Sequence, residues 1–514
     1  MGAIVTTRYG KLEGEEIEKL SVFKGIPFAA PPVGALRWMP PQPPANWSGT
    51  RDARRFGPVS HQSSRNVGPL AALNIEGPRS EDCLYLNIWT AGLSGAKRPV
   101  MVWIHGGGFS IGAGSQNIYD GAVLARRGDT VVVTINYRLG PLGLLRLVDV
   151  TGGRIPSSGN EAILDQIAAL KWVQDNIAEF GGDPSNVTIF GESAGGMSVG
   201  TLLAAPAARE LFHKAIPQSG ACHTASSIER ANRVAERVLS TVGVAPADAD
   251  AVRAADPAEL MKGVLLPDGI TPDPKLGMPY HPVVDGTILP KRGIEMVAGG
   301  SAAGVAVMAG TTLEEWKLFA IMDRGVAKLD REGLAARLGR RFSPQAADGL
   351  IAAYEKARAS RGEPVTPGEI FTAIETDRVF RMPAIRLAEA QPGHDPRTYN
   401  YLFTWKSPAI GGMLGSCHAL ELGFVFGTNN LPGMSQFAGT GAVPERLATQ
   451  MQDAWLAFAR TGNPACDSIG EWPAFDKSTR ATMIFGEEAG ATKAPLDGER
   501  RAWEPLPDNT LGSV

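Results

Sequence analysis

A chain of 514 residues, 44% hydrophobic and 20% charged, has the composition of a soluble globular protein and is long enough for two or three ordinary domains or one large α/β domain with insertions. Fifty basic and fifty-three acidic side chains leave a net charge of −3 and a pI of about 6.2, which gives no electrostatic footprint for nucleic acid or an anionic membrane. The most apolar stretch, TVVVTINYRLGPLGLLRLV, is broken by Arg138, Pro141 and Arg146 and cannot span a bilayer as a plain apolar helix.

The first residues, MGAIVTTRYGKLEGEE, lack the basic and long apolar regions of an export signal. Gly2 and Thr6 fit the short M-G-x-x-x-[ST] lipidation pattern, but the stretch that holds them reads as a strand pair. A small antiparallel sheet is therefore expected within about residues 1–45, running into the proline-rich crossover GIPFAAPPVGALRWMPPQPP. Next come the apolar runs PVMVWIHGGG and TVVVTINY, and later NVTIFGES, each suited to a strand buried on both faces of a mostly parallel sheet. Before the third run, NEAILDQIAALKWVQDNIAEFGG spaces Ile163, Ile167, Leu170, Val173, Ile177 and Phe180 by three and four, with Gly181 where a left-handed cap belongs. Strand, helix, strand in this order predicts a doubly wound α/β sheet. KAIPQSG, GVAVMAG and TYNYLFTW supply further strands. Between them, about 221–300 and 313–395 read as insertions above the sheet's carboxyl edge, where such folds bind ligands. No flexible linker divides the chain, so a single domain over 1–514 is expected.

GESAG, residues 191–195, matches G-x-S-x-G between a predicted strand, Val187 to Phe190, and the helix-compatible run AGGMSVGTLLAA. A strand-to-helix elbow of this kind holds its serine out in a strained conformation, so Ser193 is the candidate nucleophile. A serine hydroxyl needs a general base, and elbow hydrolases carry serine, acid and histidine in that chain order. After the GVAVMAG strand only His394 and His418 remain; His394 sits in the turn PGHDPR, whereas His418 in GSCHALELGF precedes an apolar run and is the better base. Glu314 and Glu315 both follow the end of that strand, and spacing alone does not choose between them. WIHGGGF leaves backbone N–H groups of Gly107 and Gly108 free to join Ala194 in an oxyanion hole. The same run lacks the G-K-[ST] and G-x-G-x-x-G patterns of phosphate loops.

With these residues the chain resembles the type-B carboxylesterase family, which includes bacterial para-nitrobenzyl esterases and animal cholinesterases. FKGIPFAAPPVGALRW, SEDCLYLNIW, FGGDPSNVTIFGESAGG, GTTLEEW and CHALELGFVFG match family segments in family order along nearly the whole chain. The resemblance implies an α/β-hydrolase fold, with Glu315 as the acid and Ser219 and Glu192 supporting the triad. Trp316 stands where the family commonly has glycine. Arg37 with Glu81 and Arg138 with Asp165 correspond to structural ion pairs. Cys83 takes the place of a half-cystine, but its partner region GPVSHQSS holds no cysteine. Together with Cys222, Cys417 and Cys466, none at C-x-x-C spacing, it is expected to be a free thiol in a reducing cytoplasm. Residues 61–80 contain no aromatic side chain, whereas cholinesterases hold a tryptophan there, so choline esters are poor candidates.

The implied activity is hydrolysis of small uncharged carboxylic esters through an acyl-enzyme, with no metal or organic cofactor. Carbamates or activated amides are the alternative substrates, and a non-catalytic interaction protein on the same scaffold is the reading from another class. A cytoplasmic monomer or homodimer, with neither nucleic acid nor membrane as partner, completes the expectation. Leu265, Leu266, Met278, Phe319, Met322, Phe371 and Met413 are candidate pocket walls.

Overall fold

The computed structural model describes residues 2–63, 74–93, 95–263 and 278–512. Its strands in chain order are β1 (Ile4–Thr7), β2 (Gly10–Glu13), β3 (Glu15–Ile17), β4 (Leu20–Pro27), β5 (Thr50–Asp52), β6 (Tyr85–Thr90), β7 (Arg98–Ile104) and β8 (Val131–Ile135). They continue with β9 (Gly182–Glu192), β10 (Lys214–Gln218), β11 (Ala306–Thr312), β12 (Thr398–Phe403), β13 (Ala481–Phe485) and β14 (Ala489–Lys493). Three helices matter most for the site: α1 (Glu161–Asn176), α2 (Ala194–Ala204) and α3 (Ala442–Thr461).

The main sheet has eleven strands in the order β14-β13-β12-β11-β10-β9-β7-β8-β6-β4-β3. From β8 to β13 the neighbours are parallel, and antiparallel pairs extend the sheet at both ends. Side chains alternate between two cores. Val100, Val102 and Ile104 of β7, with Val187 and Ile189 of β9, enter one; Met101, Trp103 and Phe190 enter the other. That two-sided burial is why these strands read as unbroken apolar runs. A third cluster joins helices between residues 331 and 390 to Trp503.

The expected N-terminal sheet is divided between two sheets. β1 and β2 pair antiparallel and are joined by β5, whereas β3 and β4 extend the main sheet. The reason is visible in β4, where Leu20 and Val22 bury against one core and Phe23 and Ile26 against the other, so the strand needs cover on both faces. The helix read from residues 160–182 forms as α1 and then tightens into a 3₁₀ turn at Ile177–Phe180 before Gly181 closes it at φ 78°.

β7 lies between β8 and β9, so the chain order reverses there, the kind of topological switch point at which α/β sheets bind ligands beyond the carboxyl ends of their strands. Both candidate loops, after Ile104 and after Glu192, leave the sheet at this point. Arg138, just past β8, locks the neighbouring turn to α1: its guanidinium bonds both oxygens of Asp165 at 2.7 and 2.8 Å and the Met39 carbonyl at 2.9 Å, all away from solvent. Arg37 pairs with Glu81 and also donates to the carbonyls of Arg253 and Ala255. Cys83 is a buried free thiol with the Ser60 hydroxyl as a hydrogen-bond partner, and burial pushes its pKa up.

Removing either Arg138 or Asp165 alone leaves an uncompensated buried charge, so Arg138→Met and Asp165→Leu singly are each expected to cost about 3–5 kcal/mol of stability. The double variant is expected to recover most of that loss, as read by chemical denaturation.

Candidate active site

Ser193 stands between the end of β9 and the start of α2 with φ 57° and ψ −124°, a conformation costly for any residue with a side chain. Its N–H donates to the Gln218 carbonyl at 3.0 Å, which holds the elbow over the end of β10. The flanking glycines are required by contact. A Cβ on Gly191 would stand 2.6 Å from the Ile104 carbonyl oxygen, and one on Gly195 only 2.0 Å from it.

Glu315 follows β11 and is fully buried. Its Oε1 accepts from the Ser219 hydroxyl at 2.6 Å and the Thr312 N–H at 2.8 Å, and its Oε2 meets His418 Nδ1 at 2.6 Å. Glu314, which spacing could not separate from it, turns away to Lys317 at 2.7 Å and to the Ser416 N–H at 2.9 Å. His394 is half-buried and bonded to the Ala298 carbonyl. The carboxylate therefore fixes the His418 ring with Nδ1 as donor and directs Nε2 to the other side.

On that side Nε2 lies 3.1 Å from Glu192 Oε1, but this oxygen lacks the alignment of a hydrogen bond. No hydrogen bond joins Nε2 to the Ser193 hydroxyl among the described residues. Gly106 packs between the two neighbours on β9, where a Cβ would come within 3.1 Å of both Glu192 Oε2 and Ser193 Cβ. Imidazole, Glu192 and the serine thus share one small volume.

Gly107 and Gly108 adopt φ 105° and 59°, and their side of the loop is half-buried. Neither their N–H groups nor that of Ala194 finds an acceptor among the described residues. Met278 borders this nest, with its Cε 3.4 Å from a Cβ built on Gly108. The loop histidine, His105, is buried against Tyr137 at 4.4 Å between ring centroids, and burial pushes its pKa down to about 4, so it stays neutral.

The electrostatics are dominated by the carboxylates of Glu192, Glu315 and Glu421 around the imidazole. Burial pushes the His418 pKa down, but the negative charges of Glu192 and then Glu315 outweigh it and carry it up to about 9. Burial raises Glu192 to about 7, against the pull of the imidazolium. Burial likewise holds Glu421 well above the ordinary carboxyl range, with Glu192 and Glu315 adding to the effect.

The aromatic wall beside the imidazole was only partly anticipated. The rings of Phe319 and Phe380 lie 5.2 and 4.8 Å from His418, and Trp316 packs 4.8 Å from Phe319. Phe380 sits on a π-helical turn, Asp377–Arg381, for which the sequence carries no local signal. Glu421 lies three residues past His418 in the same turn, just before a helix that starts at Leu422. Of the other proposed walls, Phe371 belongs to the third core cluster, and Met322 and Met413 are 56% and 62% exposed. Leu265 and Leu266 lie outside the described residues, as do residues 64–73 of the segment without aromatics. Among the described residues no group of His, Cys, Asp and Glu could hold a metal ion, and no helix is long and apolar enough to cross a membrane.

Comparison with known proteins agrees in extent along the chain. The carboxylesterase family matches residues 2–503. The para-nitrobenzyl esterase of Bacillus subtilis (strain 168) is 38% identical over 98% of each chain, and the phenmedipham hydrolase of Pseudarthrobacter oxydans is 34% identical over 96% of this chain and 97% of its own. Among solved structures, a Geobacillus stearothermophilus carboxylesterase superimposes with a TM-score of 0.87 at 41% identity, covering 98% of this chain and all of the other. A PNB esterase gives 0.83 at 36% identity over 98% of this chain and 100% of its own. The fold is that of these carboxylesterases, and the chain belongs to the carboxylesterase family of carboxylic ester hydrolases.

Proposed function

We propose that Ser193, His418 and Glu315 form the catalytic triad of this esterase, with the N–H groups of Gly107, Gly108 and Ala194 as its oxyanion hole. The observation that carries the reading is the short bond from His418 Nδ1 to a carboxylate with two further donors, which leaves Nε2 facing Glu192, the residue just before the strained elbow of Ser193. Nε2 takes the proton of the Ser193 hydroxyl as its oxygen attacks the ester carbonyl. The carbonyl oxygen gains negative charge and is met by three N–H groups without other acceptors. The protonated imidazole then passes its proton to the departing alcohol. In the second half, water loses a proton to Nε2 as it attacks the acyl carbon, and the acid leaves as the bond to Ser193 Oγ breaks and Nε2 returns that proton to the serine oxygen. Glu315 keeps the ring oriented and stabilises its positive form throughout, and Ser219 and Thr312 hold Glu315. Catalytic hydrogen bonds are often long without substrate, so the serine–imidazole contact is expected to tighten as an ester binds.

The substrates are read as small uncharged esters, with carbamates and activated amides open to the same attack. The chain is read as a single domain whose segments 221–300 and 313–395 shape the approach to the site. The chain is read as a monomer or homodimer; the free thiols favour a cytoplasmic setting, and the small net charge favours work without nucleic acid.

Ser193→Ala is expected to lower turnover of a short-chain nitrophenyl ester by on the order of 10⁴–10⁶ and to abolish fluorophosphonate labelling, with thermal unfolding unchanged. A variant that keeps about a tenth of the rate excludes Ser193 as nucleophile. The pH dependence has a definite sign: His418 must be neutral to act as base, so activity falls as pH drops through its raised pKa. Glu192→Gln removes a negative charge 3.1 Å from Nε2, so the acid limb of kcat/KM is expected to move about one unit or more to lower pH. A limb that stays or moves upward excludes Glu192 as the source of the shift.

A further inference from the structure

The turn that carries the two glycine N–H groups is conformationally expensive. Gly107, Gly108, Phe109 and Gly112 all have positive φ, at 105°, 59°, 58° and 119°. Phe109 has a side chain and is fully buried in that conformation. A Cβ on Gly107 would stand 2.1 Å from the Ile111 carbonyl oxygen, and one on Gly112 2.2 Å from His105 Nδ1. Inside the turn the Gly107 carbonyl accepts from Ser110 and Ile111 at 3.1 and 3.0 Å. Strained backbone of this kind persists only when its surroundings over-determine it.

Most of that support comes from side chains of other segments. The Tyr137 hydroxyl donates to the His105 carbonyl at 2.7 Å at one end, and Asn136 and Thr134 take the N–H and carbonyl of Gly114 at 2.8 and 2.7 Å at the other. Between them, the carboxamide of Gln62 reaches the strained span itself. Its Oε1 accepts from the Gly112 N–H at 2.8 Å, and its Nε2 donates to the Gly112 carbonyl at 3.0 Å and to the Ser60 carbonyl at 3.1 Å. Gln62 is only 6% exposed, and its own carbonyl is held by Arg79 at 3.1 Å. Gly112 in turn packs against the ring of His105, the residue that leads into the three glycines. A planar amide that satisfies both the donor and the acceptor of one residue fixes that residue's orientation, which a single bond does not.

We propose that Gln62 is a positioning residue of the oxyanion hole, gripping Gly112 so that the N–H groups of Gly107 and Gly108 stay aimed at the carbonyl oxygen during attack. The inference rests on the reading of those N–H groups as oxyanion donors. Gln62 touches neither substrate nor nucleophile in this role; it acts through the backbone. Loss of the grip lets the turn relax, and misplaced donors weaken the transition state while leaving ester binding intact.

The test compares Gln62→Met, which keeps volume and removes both bonds, with the unaltered enzyme, assayed well below the unfolding temperature of each. The expected result is a kcat about 10- to 100-fold lower with KM within about twofold, and a trifluoromethyl ketone inhibitor weakened by the same factor as kcat/KM. Should Gln62→Met fail to fold, Gln62→Glu, which retains only the acceptor, is held to the same criterion. Unchanged kcat, a change confined to KM, or a lost kcat without matching loss of ketone affinity overturns the proposal. Fluorophosphonate labelling of Ser193 in the unaltered enzyme separates the two readings: if labelling fails, the serine-hydrolase site itself is wrong, and if it succeeds while Gln62→Met behaves as the parent, only the role of Gln62 is lost.

Discussion

Backbone lies on backbone where α2 meets β7, and the site depends on that contact. A single methyl on Gly195 would fall 2.0 Å from the Ile104 carbonyl oxygen, and one on Gly196 would fall 2.4 Å from that of Gln218. Only hydrogen atoms at these positions let the helix start directly above the sheet, which raises Ser193 to the same level as the loop that follows Ile104. The nucleophile, the N–H groups after β7 and the acid after β11 then leave neighbouring parallel strands at one edge. Parallel pairing from β7 through β9, β10 and β11 sets their lateral order.

Charge is concentrated behind that edge. Glu192, Glu315 and Glu421 are buried around a single imidazole, and Gln218 is the neutral polar group beside them, with its amide 3.4 Å from Glu421 and its carbonyl bonded to the indole of Trp455 on α3. Burial together with mutual repulsion pushes the pKa values of Glu192 and Glu421 upward. The arrangement favours a positive His418 and therefore favours the state formed as the serine proton moves. The cost is a resting imidazole that is harder to deprotonate.

The parts of the molecule legible in the sequence are those with a local signature. Apolar runs marked β7 to β12 because both faces are buried, and the three-and-four spacing marked α1. The elbow at Ser193 and the glycines at 107 and 108 announce themselves because their strain demands particular residue types. Glu315 could not be separated from Glu314 by position, since adjacent residues differ only in where the chain turns; Lys317 and Ser416 claim one, His418 and Ser219 the other. β13 and β14, Phe380 and Gln62 escaped notice for a related reason. Gln62 meets Gly112 across 50 residues and Phe380 meets His418 across 38, and neither carries a pattern in its own neighbourhood.

Among the described residues the sheet ends at two borders, β3 and β14, and both are poorly suited to extension. β3 is three residues long and begins with Glu15 and Glu16, which are partly or fully exposed. β14, AGATK, contributes no fully buried residue and finishes on Lys493. Short, charged or small-residue margins are weak templates for a further strand from a neighbouring molecule. The chain can thus build eleven strands internally while presenting crowded solution with little on which fibrous or ribbon-like stacking could propagate.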